Sequence, residues 1–177
     1  MQLSLKTCQV RSWHPSDAEA LAQHANNRKI WLNLRDAFPH PYGKRDARDF
    51  IRSMRRREPE SNFAIAVGGD AVGSIGFMLR PDVERVSAEI GYWLAEPLWG
   101  RGIATEAVTA VTAYAMQNHG LTRMFAVPFA SNRASCRVLE KAGYVLEARL
   151  RRSAVKDGEV VDQLQYAFIL DPEPRPG

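Results

Sequence analysis

The 177-residue sequence predicts an α/β (α+β) fold: a single mixed, mostly antiparallel central sheet of six to seven strands flanked by about four helices. Three observations predict it. Two apolar runs, residues 63–67 and 72–79, flank Gly68-Gly69-Asp70 and read as a hairpin with a tight turn. From Val86 onward, strand-like and helix-like segments alternate, and hairpins followed by such alternation build one sheet with helices on both faces. Hydrophobic residues make up 45% of the chain, enough for one substantial core, and no repeat or linker divides it.

Taken in order, residues 5–13 alternate loosely and read as a first strand. Ser16 and Glu19 after Pro15 form a capping-box pattern, which starts a helix running to about Ala25. Residues 26–42, with Pro39 and Pro41, read as a broken loop, and residues 46–57 as a second helix. Pro81-Asp82 turns the chain into a strand over residues 86–94. Ala107, Val108, Val111, Tyr114 and Ala115 recur at helical spacing, giving a helix over residues 105–119 that Gly120 stops. A strand at 121–129 and a helix at 133–142 follow, with Gly143 as the helix stop. Two closing strands, 145–152 and 160–169, flank Lys156-Asp157-Gly158. The Pro-rich tail, 171–177, is expected to be disordered, leaving residues 1–170 as a single domain.

Composition excludes several classes. No apolar run approaches the ~18 residues of a membrane span, and Met1 to Lys6 lacks a signal-peptide core. Two cysteines, Cys8 and Cys136, give no disulfide framework, so a cytoplasmic location is expected. The four histidines are scattered, and no cluster has metal-ligand spacing. A net charge of +4 falls short of a nucleic-acid signature. The densest basic run, Arg52 to Arg57, reads as a solvated helix face or as attraction to an acidic partner such as RNA. Arg149, Arg151 and Arg152 carry the same two readings. Without interleaved aromatics, specific nucleic-acid binding is not expected.

The most informative segment is Trp99-Gly100-Arg101-Gly102-Ile103-Ala104-Thr105-Glu106-Ala107, after the strand-like Ile90-Gly91-Tyr92-Trp93-Leu94. Strand, glycine turn and helix start make an anion cradle: glycines admit close backbone approach, and the helix N-terminus adds free N–H groups and the positive dipole end. No Walker loop is present, and the third small residue of a dinucleotide fingerprint is missing. The shorter G-x-G-x-A pattern remains, either a phosphate site or a structural turn.

A second motif follows, Asn132-Arg133-Ala134-Ser135-Cys136-Arg137-Val138-Leu139-Glu140-Lys141-Ala142-Gly143-Tyr144, then Gly158, Asp162 and Tyr166 at four-residue spacing. With E-I-G-Y-W-L at Glu89, W-G-R-G-I-A-T-E-A at Trp99, and N-L-R-D-A-F-P-H-P-Y at Asn33, these lie in the order found in one family. The chain resembles the GNAT acetyltransferases, in particular their RimJ/RimL-type (ribosomal-protein N-acetyltransferase-like) branch, over nearly its whole length.

The resemblance implies acetyl-CoA as donor, with the pyrophosphate on the backbone of Gly100, Arg101, Gly102, Ile103, Ala104 and Thr105. The pantetheine arm would pair with Ile90, Tyr92, Trp93 and Leu94 as an added strand. Trp99 stands where many GNATs carry Gln or Arg, and is either core packing or part of the cofactor site. Arg101 is placed to meet a phosphate. Arg137 and Lys141, one turn apart, either meet the 3′-phosphate or form a solvated face. Asn132 either donates to the pantetheine or caps its helix, and Ser135 either protonates the leaving thiolate or caps it. Cys136 reads as a packed thiol.

Glu89 is the candidate base; its other reading is a strand-edge salt bridge. A further glutamate found in some RimL-type proteins aligns with Ala154 here, which places RimL-like substrate choice in question. Asn33, Phe38, His40 and Tyr42 lie on the implied acceptor loop, as pocket lining or as loop stiffeners, with His40 a reserve base. Asp162 either holds an ammonium or orders the closing hairpin. The implied activity is transfer of acetyl to an N-terminal α-amine of a protein, such as a ribosomal protein, by direct attack in a ternary complex. The rivals are a small-amine acetyltransferase (polyamine, amino acid or drug), a non-catalytic acyl-CoA-binding module, and an RNA-binding domain using the arginine run. A homodimer is implied by the resemblance alone.

Overall fold

The computed structural model describes residues 1–170, so the expectation for the tail lies outside the described residues. Eight strands form one sheet in the order β1-β2-β3-β4-β5-β6-β8-β7. They are β1 (Gln2–Ser4), β2 (Gln9–Arg11), β3 (Asn62–Val67), β4 (Asp70–Leu79), β5 (Ser87–Leu94), β6 (Arg123–Ala126), β7 (Val145–Lys156) and β8 (Glu159–Ile169). The helices are α1 (Ala18–Ala25), α2 (Arg28–Trp31), α3 (Lys44–Met54), α4 (Ile103–His119) and α5 (Arg133–Lys141). Neighbouring strands are antiparallel except β5 with β6, which are parallel.

The eight strands exceed the six to seven expected because β1 precedes the strand expected at residues 5–13, of which only Gln9–Arg11 is strand. The Leu5 N–H donates to the Cys8 carbonyl at 2.9 Å, the chain reverses there, and β1 pairs with β2 as a hairpin. The five helices exceed the expected four by the single turn of α2. Asn27 caps it, accepting from the Lys29 N–H at 2.8 Å. One turn is too short to show a period in sequence. The cap before α1 is also displaced: Asp17, not the Ser16/Glu19 pair, makes the reciprocal bond, accepting from the His14 N–H at 2.8 Å. The Gly68-Gly69 hairpin matches its expectation, with φ of +61° and +96°.

Strand alternation divides the core. Phe63 and Ile65 point to the face covered by α4 and α5, while Ala64 points to the face covered by α1 and α3. Fully burying a side chain of Phe63's kind contributes ~1.5–3 kcal/mol, and Val108, Val111 and Leu139 bring α4 and α5 onto the same core. Polar pins then fix the angle of α4. Glu106 in its first turn accepts from the backbone N–H groups of Lys6 at 2.6 Å and Thr7 at 2.9 Å, tying the β1–β2 turn to the helix. Thr112 and Tyr144 share a buried hydrogen bond of 2.6 Å between α4 and the end of α5.

One irregularity positions the site. β5 and β6 pair only at Ser87, Ala88 and Glu89, opposite Arg123, Met124 and Phe125. β6 ends at Ala126 while β5 runs on to Leu94. From Ile90 onward the β6-side edge of β5 carries backbone groups with no strand partner, and a wedge opens in the sheet.

Candidate active site

The wedge holds a cavity of about 700 Å³. Ile90, Tyr92, Trp93, Leu94, Trp99, Gly100, Arg101, Gly102, Ile103, Ala104, Thr105, Asn132, Ser135, Arg137 and Lys141 all line it, with Glu89 and Asn33 at its other end. Four of the residues expected on the acceptor side, Phe38, His40, Tyr42 and Asp162, are not among its lining.

Its floor is backbone. Gly100 and Gly102 adopt φ of +75° and +81°, a region that costs other residues ~1–2 kcal/mol. A Cβ at either position would meet nothing within 4 Å, so the space before the turn is open. Helical hydrogen bonding starts with the Glu106 N–H on the Gly102 carbonyl at 3.0 Å, so Ile103, Ala104 and Thr105 present N–H groups without intrahelical acceptors. Trp99 Nε1 donates to the Leu94 carbonyl at 2.7 Å and staples the turn to the end of β5. Its ring is 45% exposed, so Trp99 shapes the loop rather than filling the core.

The two faces of β5 carry different chemistry. Tyr92 shares the α4/α5 face with Ile90 and Leu94. Its Oη lies 2.9 Å from Ser135 Oγ and donates to the Ser135 carbonyl at 3.2 Å. Burial pushes the Tyr92 phenol well above its ordinary value, against a smaller opposing pull from the Ser135 bond, so it stays protonated at neutral pH. Asn132 Oδ1 accepts from the Ser135 N–H at 3.1 Å and caps α5, leaving Nδ2 as the donor end of that side chain. Tyr166 donates to Glu140 at 2.9 Å and anchors α5 to β8. Cys136 is buried beside these groups.

Glu89 lies on the opposite face, at the last position of β5 paired with β6. Its side chain is 11% exposed and accepts from the Arg35 guanidinium, with Arg80 Nη2 at 3.5 Å from the other oxygen. The wedge therefore has a carboxylate on one face and a hydroxyl pair on the other. Sequence reasoning placed Tyr92 only as cofactor lining and did not pair Arg35 or Arg80 with Glu89. The period of two along β5 was the available signal for Tyr92; nothing local marks Arg35, which precedes Glu89 by 54 residues.

The remaining acceptor-side residues brace the wall behind the cavity. Phe38 stacks on Tyr42 at 4.8 Å and meets Trp93 edge-on at 5.9 Å. Tyr42 is 5% exposed, and burial pushes its phenol up. His40 stacks on Trp31 at 5.6 Å. Asp162 accepts from Arg149 Nε at 2.7 Å and from the Arg152 N–H at 2.8 Å, which orders the bulged β7–β8 hairpin. A brace that sequence reasoning missed crosses this side. Lys156, 5% exposed, donates to Asp36 at 2.8 Å with its ammonium 3.8 Å from the Trp31 ring centroid, and Arg28 pairs with Asp157 at 2.6 Å. Among the described residues no cluster of His, Cys, Asp and Glu has the arrangement of a metal site, and no helix is long and apolar enough to cross a membrane.

A family model described as "Acetyltransferase (GNAT) domain" matches residues 9–145. The chain is 31% identical over 175 residues to the probable N-acetyltransferase YjcK of Bacillus subtilis, covering 95% of this chain and 96% of that protein. It is 28% identical over 147 residues to the ribosomal-protein-serine acetyltransferase of Escherichia coli, covering 81% and 82%. The solved structure of RimL, a ribosomal L7/L12 α-N-protein acetyltransferase in complex with coenzyme A, superposes with a TM-score of 0.85 at 22% identity, over 97% of this chain and 99% of that one. The eight-stranded sheet with its wedge is thus the GNAT fold, and the chain belongs to the GNAT acetyltransferase family as an N-acetyltransferase.

Proposed function

We propose that residues 1–170 form one cytoplasmic GNAT domain that transfers acetyl from acetyl-CoA to the N-terminal α-amine of a protein or peptide. The carrying observation is that Glu89, the carboxylate lining the cavity, is engaged by two arginines. Keeping a lysine-type amine of pKa ~10.4 neutral at pH 7 costs roughly 4–5 kcal/mol, whereas an α-amine near ~7.8 costs about 1. A carboxylate already shared with guanidinium groups suits the smaller task. The ribosomal-protein-serine acetyltransferase among the relatives supports a protein as the acceptor.

The residues present fit the donor. The open space before Gly100 and Gly102 and the free first-turn N–H groups of α4 suit a pyrophosphate. Arg101, Arg137 and Lys141 line the same end of the cavity and suit the remaining phosphate charge. The unpaired edge of β5 suits the amides of a pantetheine arm. Acetyl-CoA supplies the acetyl group as an activated thioester.

The chain's own groups then divide the work. Glu89 takes the proton from the attacking amine, directly or through one water. Edge N–H groups of Ile90 to Tyr92 are the donors available to the oxyanion. As the new C–N bond forms and the C–S bond breaks, Ser135 gives its proton to the departing thiolate and regains one from solvent, to which Glu89 releases the proton it took, while Tyr92 Oη at 2.9 Å holds the Ser135 hydroxyl in place. The test is thiol release from acetyl-CoA with two peptides, one with a free α-amine and no lysine, the other N-blocked with one lysine. Release with the first alone supports the reading; release with the second alone contradicts it.

A further inference from the structure

The charges around Glu89 do not balance. On this side of the molecule Lys29 has Glu96, Arg28 has Asp157 and Lys156 has Asp36, each cation with a carboxylate of its own. Arg35 and Arg80 share Glu89 alone. Arg80 is also committed to the face of Phe125, its Cζ 5.1 Å from the ring centroid, and Arg123 beside it is paired with Glu147. Arg35 comes from the segment after α2 and lines the cavity with its side chain 64% exposed. One positive charge is left over, carried on an exposed side chain that lines the cavity beside Glu89.

Resting on the proposed α-amine reading, we infer that Arg35 selects acceptors carrying a carboxylate close to the reacting amine. The carboxylate comes either from an acidic side chain at the start of a peptide or from the α-carboxylate of a free amino acid. A carboxylate there meets the surplus guanidinium as a charge-assisted, two-pronged hydrogen bond. It also draws Arg35 from the Glu89 oxygen that must accept the amine's proton. A polycation suffers the reverse, meeting two arginines before it meets one carboxylate. The donor phosphates do not compete for this charge, since Arg101, Arg137 and Lys141 lie on the glycine-turn and α5 side of the cavity.

The experiment compares kcat/KM, each divided by the neutral fraction of its own acceptor amine, for three peptides of one length with Ser at the first position and Asp, Asn or Lys at the second, and for free serine beside serinamide. The expected order is Asp over Asn over Lys, about three- to tenfold per step, as for partly exposed charge pairs. The preference should shrink as salt rises. Arg35→Gln should bring the three peptides together; because the readout is a ratio within one variant, partial unfolding does not imitate it. If that variant does not fold, the salt dependence of the unaltered protein decides. Peptide preference without serine-over-serinamide preference assigns the carboxylate to a peptide side chain, and the converse assigns it to an amino acid; either supports the inference. Equal turnover of all acceptors, or Lys over Asp, overturns it while leaving the α-amine reading standing. No acetylation of any acceptor overturns both.

Discussion

The two halves of the wedge proposed for donor and acceptor are built from different materials. On the donor side the floor is backbone, two left-handed glycines, the first turn of α4 and the unpaired edge of β5, with Arg101, Arg137 and Lys141 around it. They are held rigid by a core in which Val108, Val111 and Leu139 are fully buried. On the acceptor side the cavity is faced by side chains on loops, steadied by ion pairs such as Lys156–Asp36 and Arg28–Asp157 that join segments 120 and 129 residues apart. A backbone site is set by the fold itself. A side-chain site on a loop changes at the cost of one residue rather than of the fold.

The sharpest way to break this comparison is at the hydroxyl pair. Ser135→Ala should lower kcat about 10²-fold, the low end for loss of a general acid, with coenzyme A affinity little changed by titration calorimetry. Tyr92→Phe should cost less, about tenfold, since Ser135 remains. Next is the turn: Gly102→Val forces a side chain into φ of +81°, and the ~1–3 kcal/mol of strain should raise the KM for acetyl-CoA about 10- to 100-fold with the acceptor KM unchanged.

Glu89→Gln should reduce kcat/KM at pH 7 about tenfold, and the deficit should narrow above pH ~8, where an α-amine deprotonates unaided. Smaller again, Lys156→Met should raise the acceptor KM several-fold with donor affinity intact; equal loss in both would mean the two halves are not separable. The smallest effect lies away from the wedge. Hydrogen bonding from Arg123, with lesser help from Gln165 and the Arg123 charge, lowers the Glu147 carboxyl from 4.5 to about 2. A depressed carboxyl stabilises the fold above its unfolded value and loses that contribution as pH falls towards the folded one. The difference in Tm between the protein and Glu147→Gln should therefore be constant above pH 5 and close between pH 4.5 and about 2. The stability lost with that closing should be about 1 kcal/mol or less, because the pair is partly exposed.

The same division explains what could be read from the sequence. Gly100, Gly102, Asn132 and the alternation along β5 are local signals, and with them the donor wall and the sheet were legible. The β1–β2 reversal and the single turn of α2 were not, since three or four residues carry no period. The resemblance put Phe38 and Tyr42 on the acceptor loop, as pocket lining or as loop stiffeners; the structure stacks Phe38 on Tyr42 and sets it edge-on to Trp93, behind the cavity wall. Arg35, Arg80, Asp36 and Lys156 have no local signature. Their partners are chosen by the fold, and only coordinates bring them together.

The central claim is that this wedge acetylates an α-amine and passes over a lysine. A single peptide carrying both, incubated with the protein and acetyl-CoA and fragmented in a mass spectrometer, tests it most directly. The account predicts acetyl on the N-terminal nitrogen with the lysine unmodified. Acetyl on the lysine side chain, with the N-terminus free, would contradict it.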